Sequence, residues 1–136
     1  MHSVRVLLAH PDPGLLSACR DHLANEGFEV AAAATGLECL ARLRTFAPDV
    51  LVLEMDLTWG GGDGVLARMR EDRDLPRVPV VILSSRSGPA RFARAPAGVP
   101  VAERLSGPLT PMRLAKTVSD YAGLCYRVRD HEQATV

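Results

Sequence analysis

The chain has 136 residues, 47% hydrophobic and 24% charged, and its 16 Lys+Arg balance its 16 Asp+Glu, so the formal net charge is zero. That length favours one domain with a sizeable core, and the charge balance argues against non-specific nucleic-acid binding, which needs a clustered positive field. Three scattered cysteines (Cys19, Cys39, Cys125) without C-x-x-C spacing, no apolar run near the roughly 20 residues of a membrane span, and an N-terminal apolar stretch broken at His10-Pro11 speak for a cytoplasmic protein without a disulfide framework, metal cluster or signal peptide.

Val4 to Ala9 is a short, continuous apolar run, as expected of a strand covered on both faces. Asp12-Pro13 reads as an N-cap and first helical position. The helix carries Leu15, Leu16, Cys19 and Leu23 on one stripe and ends at Asn25-Glu26-Gly27. Phe28 to Ala33 is a second strand. Thr35-Gly36 opens a second helix with Leu37, Leu40 and Leu43, stopped before Pro48. Val50 to Leu53 is a third and more hydrophobic strand. Beyond the glycine run Gly60-Gly61-Gly62, Asp63 is expected to cap a helix through Val65, Leu66 and Met69. Val78 to Leu83 is a fourth strand. Ser84 to Gly98 holds Pro89, Pro96, Arg86, Arg91 and Arg94, with room for a short helix around Ala90 to Ala95. Val99 to Ala102 is a weak fifth strand. Thr110-Pro111 caps a last helix with Leu114, Val118, Tyr121, Ala122 and Cys125 on its apolar side. A domain over 1–126 and a polar tail over 127–136 follow.

Strands and helices alternate with short connections, which predicts an α/β doubly wound parallel sheet. Ligands of such sheets sit beyond the carboxyl ends of the strands. There His10 to Asp12, Glu54 to Asp63 and Ser84 onward should meet, with Ser106-Gly107-Pro108 beside them.

In this order the segments RVLLAHPDPGLL, PDVLVLE, DGVLARMR, VPVVILSS and LSGPLTPMRL resemble the receiver domain of bacterial two-component response regulators, over roughly Val4 to Gly123. The resemblance implies a CheY-like, flavodoxin-like (βα)5 fold with five parallel strands in the order 2-1-3-4-5. It also implies a site at which this sequence departs from the family. His10 and Pro11 stand where two adjacent acids help hold Mg²⁺, and only the following Asp12 is acidic. Glu54 stands at the phosphoacceptor aspartate. Ser84 keeps the hydroxyl position. Gly107 replaces the lysine that contacts the phosphoryl group, beside a retained Pro108. The loop after Glu54 is longer by about two residues.

Phosphoryl transfer to a carboxylate needs in-line placement and neutralised phosphoryl oxygens. Mg²⁺ wants octahedral oxygen coordination. Proline supplies no side-chain donor and histidine is a poor magnesium ligand. Glutamate is one methylene longer than aspartate, moving its oxygen by about 1.5 Å, and about 1 Å of misplacement can cost on the order of 10²-fold in rate. Asp12, Glu54 and Asp56 are the candidate metal carboxylates, but no cofactor is expected. Glu54 can also be read as a permanent imitation of a charged, switched-on site, as a solvated acid in a vestigial pocket, or as the partner of His10 in an acid–base couple or a transition-metal site with Asp12. The glycine run lacks the lysine and spacing of a phosphate loop and reads as a flexible turn. Trp59 beside it is either a cover for the pocket or an anchor for a partner.

The expected function is a stand-alone, receiver-like signalling domain that is not phosphorylated and acts through a protein partner, a histidine kinase or an effector chain, since the last helix ends near Tyr126. No direct nucleic-acid or membrane partner is expected, and a homodimer is left open. The alternatives are a residual phosphoacceptor using Glu54 or Asp56 and a small-ligand module of flavodoxin-like fold. The resemblance implies a working face containing Phe92, Arg91, Arg94, Arg104, Arg113, Lys116 and Asp120, with Arg104 at the position of a fifth-strand aromatic.

Overall fold

A computed structural model describes residues 3–58, 60–84 and 101–121. Five parallel strands form one sheet in the order β2-β1-β3-β4-β5: β1 (Arg5–Ala9), β2 (Glu29–Ala33), β3 (Val50–Glu54), β4 (Val80–Ser84) and β5 (Val101–Ser106). The helices are α1 (Pro13–Asn25), α2 (Gly36–Phe46), α3 (Gly61–Glu71) and α4, described over residues 111–121. This is the doubly wound order that the sequence predicts. The reading of a short helix around Ala90 to Ala95 lies outside the described residues.

The central strands are buried on both faces, and the period-two alternation of side chains sorts them into two cores. Leu7, Ala9, Leu51, Leu53 and Ile82 pack toward Cys39, Leu43, Leu66 and Met69 of α2 and α3. Val6, Leu8, Val50, Val52 and Leu83 pack toward Leu16, Cys19, Leu23, Leu114 and Val118 of α1 and α4. Fully buried leucines such as Leu66 and Leu114 each contribute about 2 kcal/mol of transfer free energy.

The helix starts follow from local chemistry. Asp12 Oδ1 accepts from the Gly14 and Leu15 amides at 2.9 and 3.3 Å, and Thr35 Oγ1 accepts from the Glu38 amide at 3.1 Å, so both predicted caps are present. Asp63 is not a cap. The N-cap of α3 is Gly60, in the left-handed region at φ 100, without a side-chain cap bond, and Asp63 sits in the helix's first turn, where a carboxylate complements the dipole. On α2 the buried residues are Gly36, Cys39 and Leu43, while Leu37 is 64% exposed. Leu37 matches the helical period but lies a turn before Leu40 and outside the buried stripe of Gly36, Cys39 and Leu43.

Two strand boundaries also move. The fourth strand begins at Val80, because residues 76–79 run without ladder structure, and extends through Ser84. The fifth runs through Ser106 rather than stopping at Ala102. Its pairing slips by one residue between Val80/Val101 and Val81/Glu103, a bulge of the sort common at sheet edges. As an edge strand it exposes Glu103 and Arg104, which hides it from a reading based on apolar runs.

Candidate functional site

Strand parity brings His10 and Glu54 together. Val6, Leu8 and His10 follow one alternation of the first strand, Val50, Val52 and Glu54 one alternation of the third, and both belong to the α1/α4 side of the sheet. His10, Glu54 and Ser84 are the buried polar side chains among the described residues, at 7%, 1% and 1% exposure. Glu54 and Ser84 end strands and His10 directly follows one, where the backbone ladder stops and the next loop begins.

The His10 ring has a backbone donor at one nitrogen and a carboxylate facing the other. The Asp12 backbone N–H donates to Nδ1 at 3.0 Å. An accepting Nδ1 carries no proton, so the ring hydrogen is assigned to Nε2. Nε2 faces Glu54 Oε2 at 3.7 Å, longer than a hydrogen bond. Glu54 Oε1 in turn takes a long contact, 3.4 Å, from the Asp56 backbone N–H. The carboxyl group is thus turned toward its own loop and the neighbouring imidazole.

Above this pair opens a cleft of about 580 Å³. Its polar lining is His10, Asp12, Glu54 and Asp56; Pro11, Pro13, Leu15, Pro108 and Leu109 make it largely apolar. The structure therefore gathers six of the residues singled out from the sequence (His10, Pro11, Asp12, Glu54, Asp56 and Pro108) into one concavity. Ser84 and Gly107 stand at adjacent strand ends but do not line it. Ser84 pairs in register with Ser106, directly before Gly107.

The donor set bears on the Mg²⁺ that the fold implies. Pro11 offers no side-chain donor, His10 Nδ1 is already bonded, and Asp12 is engaged as a cap. Among the described residues no group of three or more His, Cys, Asp or Glu is arranged to hold a metal ion. The residues present do not fit a hydrated Mg²⁺. Neither described thiol is a ready nucleophile: burial raises Cys19 and pushes Cys39 up to about 12.

The glycine loop is more specific than a flexible turn. Gly60 and Gly61 lie in the left-handed region at φ 100 and φ 64. A Cβ on Gly62 would come within 2.7 Å of Met55 Cα and Sδ. The Gly62 N–H donates to Met55 O at 3.1 Å, and Gly36 N–H to Thr58 O at 2.9 Å, beside a Thr35–Thr58 bridge. The longer loop is thereby tied to the start of α2. Trp59 lies outside the described residues, as do Phe92, Arg91 and Arg94.

Sequence reasoning missed the role of Arg113 and a second concavity. Arg113 Nη1 donates to Ser106 O at 2.7 Å and to Pro108 O at 3.4 Å; the available signal was an arginine three residues after the Thr110 cap, within reach of the preceding turn. Between α2 and α3 lies a groove of about 420 Å³ that includes Leu37, Leu40, Gly64 and Val65. Arg44 and Arg68 at its end share Asp72, at 2.6 and 3.9 Å. The Asp74 amide, and after it Arg44, hold the Asp72 carboxyl below its ordinary value. Arg104, Lys116 and Asp120 are exposed, whereas Arg113 is half-buried.

Comparison with known proteins agrees with this frame. The family model described as response regulator receiver domain matches residues 6–118. The transcriptional regulatory protein PrrA of Mycobacterium tuberculosis is 37% identical over 86 residues, which are 62% of this chain and 36% of PrrA. A stretch of the sensor histidine kinase TmoS of Ectopseudomonas mendocina is 26% identical over 82 residues, 60% of this chain and 8% of TmoS. The chain thus spans little more than a third of the length of PrrA. Among solved structures, a CheY-like receiver domain protein from Methanospirillum hungatei JF-1 superposes with TM-score 0.79 at 18% identity, covering 93% of this chain and 98% of that one. The chemotaxis protein CheY4 of Vibrio cholerae gives TM-score 0.75 at 22% identity, covering 88% and 98%. At these identities the structural likeness shows the fold alone.

Proposed function

The chain belongs to the response regulator receiver domain family of two-component signalling, and from that membership we propose that it signals by protein–protein contact without being phosphorylated. The observation that carries this reading is the engagement of the acceptor position. Glu54 is buried against His10 and the Asp56 amide, with Pro11 where a metal acid would be needed and Gly107 where a cation would be. Among the described residues that line the cleft there is no Lys or Arg to neutralise phosphoryl oxygens, and Pro11 brings no side-chain ligand for a metal that would gather them. Mg²⁺ binding is negligible at physiological concentration. The partner is another signalling chain, a kinase or an effector, and the exposed Arg104 of β5 and Lys116 of α4 are among the residues that meet it.

Incubation with a small acyl phosphate and Mg²⁺, read by intact mass, tests the reading. No phosphoryl addition is expected on the native chain or on Glu54→Asp, because the metal acids and the lysine are still missing. A stoichiometric addition to the native chain would overturn it in favour of a residual phosphoacceptor at Glu54 or Asp56.

A further inference from the structure

We propose that Arg113 is a positioning residue: it clamps the turn 106–108 so that the Pro108–Leu109 wall of the cleft keeps one conformation whatever the state of Glu54. The proposal rests on the phosphorylation-independent reading above and gives that reading a physical device.

The clamp spans both sides of one glycine. Nη1 of Arg113 bonds the carbonyl before Gly107 and the carbonyl after it, at 2.7 and 3.4 Å. Gly107 is left-handed at φ 82, and a Cβ there would lie 3.9 Å from Nη1. That distance is an ordinary contact, so what glycine supplies at 107 is the left-handed φ that points both carbonyls at the guanidinium. Arg113 is itself anchored in α4: its amide donates to Thr110 Oγ1 at 3.1 Å, and its carbonyl accepts from Thr117 Oγ1 at 3.1 Å. The planar guanidinium bonds two acceptors from one orientation and loses less freedom doing so than an ammonium would. The residues that follow the clamped glycine, Pro108 and Leu109, line the cleft opposite Glu54, and Leu109 is buried. Arg113 itself does not line the cleft, so it acts through the turn.

Amide hydrogen exchange on the full chain decides the matter. Arg113→Ala is expected to speed exchange at Gly107, Leu109 and Thr110 roughly 10-fold, the loss of about one hydrogen bond's worth of local stability, with β1 to β3 unchanged. Arg113→Lys should restore part of the protection. Glu54→Gln alone should leave the turn's exchange as in the native chain, and should alter it more than about twofold only once Arg113 is removed. Exchange in Arg113→Ala within about twofold of the native chain, or a response of the turn to Glu54→Gln while Arg113 is present, overturns the clamp. Acyl phosphate treatment of the same samples separates the two ideas. A phosphoryl addition to the native chain sinks the phosphorylation-independent reading, whereas the exchange result judges the clamp by itself.

Discussion

The two glycine turns after β3 and β5 hold their shape by opposite means. The turn after β3 is held by contact: Gly62 sits where a Cβ would strike Met55 Cα and Sδ at 2.7 Å, and its amide is bonded to Met55 O. The turn after β5 is held by charge. Around Gly107 the nearest atom a Cβ would meet is Arg113 Nη1, at an ordinary 3.9 Å, and the backbone is fixed by that guanidinium. One glycine is needed for space and the other for its φ of 82. The comparison teaches that glycine at a strand end does not report flexibility. Its reason has to be found in what stands opposite.

Three substitutions test this contrast. The largest effect is expected for Gly62→Ala, which must displace backbone as well as the Met55 side chain. A loss of about 3 kcal/mol should appear as a lower urea midpoint at unchanged slope. A loss below about 1 kcal/mol would show that the α3 start moves freely and that contact does not hold this turn. Gly107→Ala meets no clash and bears only left-handed strain, so about 1.5 kcal/mol is expected in the same titration. A loss equal to that of Gly62→Ala would erase the distinction between the two turns. Asp12→Ala, at the cleft, removes a side-chain cap with two amide donors and should cost about 1 kcal/mol. An unchanged midpoint there would mean that the His10–Asp12 bond, rather than the cap, sets this loop.

The frame was legible because its signals are local. Runs such as Val4 to Ala9 and Val50 to Leu53 can be buried only in a covered sheet, and Asp12, Thr35 and Thr110 mark helix starts by satisfying amides within three residues. Glu54 and His10 could be named as candidate partners because both stand at the carboxyl ends of strands, where the loops of such a sheet meet. The edges were less legible. The fifth strand carries Glu103 and Arg104 on a solvent-facing edge, so its pattern does not read as a strand until Ile82 and Val81 pair with it. Leu37 fits a helical period yet is 64% exposed, at the groove between α2 and α3.

The sequence by itself determined the doubly wound sheet, the caps at Asp12, Thr35 and Thr110, and the residue types at the strand ends, since residue type alone says that proline and glycine supply neither acid nor cation. Tertiary structure alone decided how the site is now held. The Nδ1 acceptor role of His10, the collision that keeps Gly62 a glycine and the reach of Arg113 across Gly107 each depend on atoms brought together from separate segments or fixed by a backbone angle. Residue types state what a group can donate or accept; only the folded chain sets the distance and direction at which it does so.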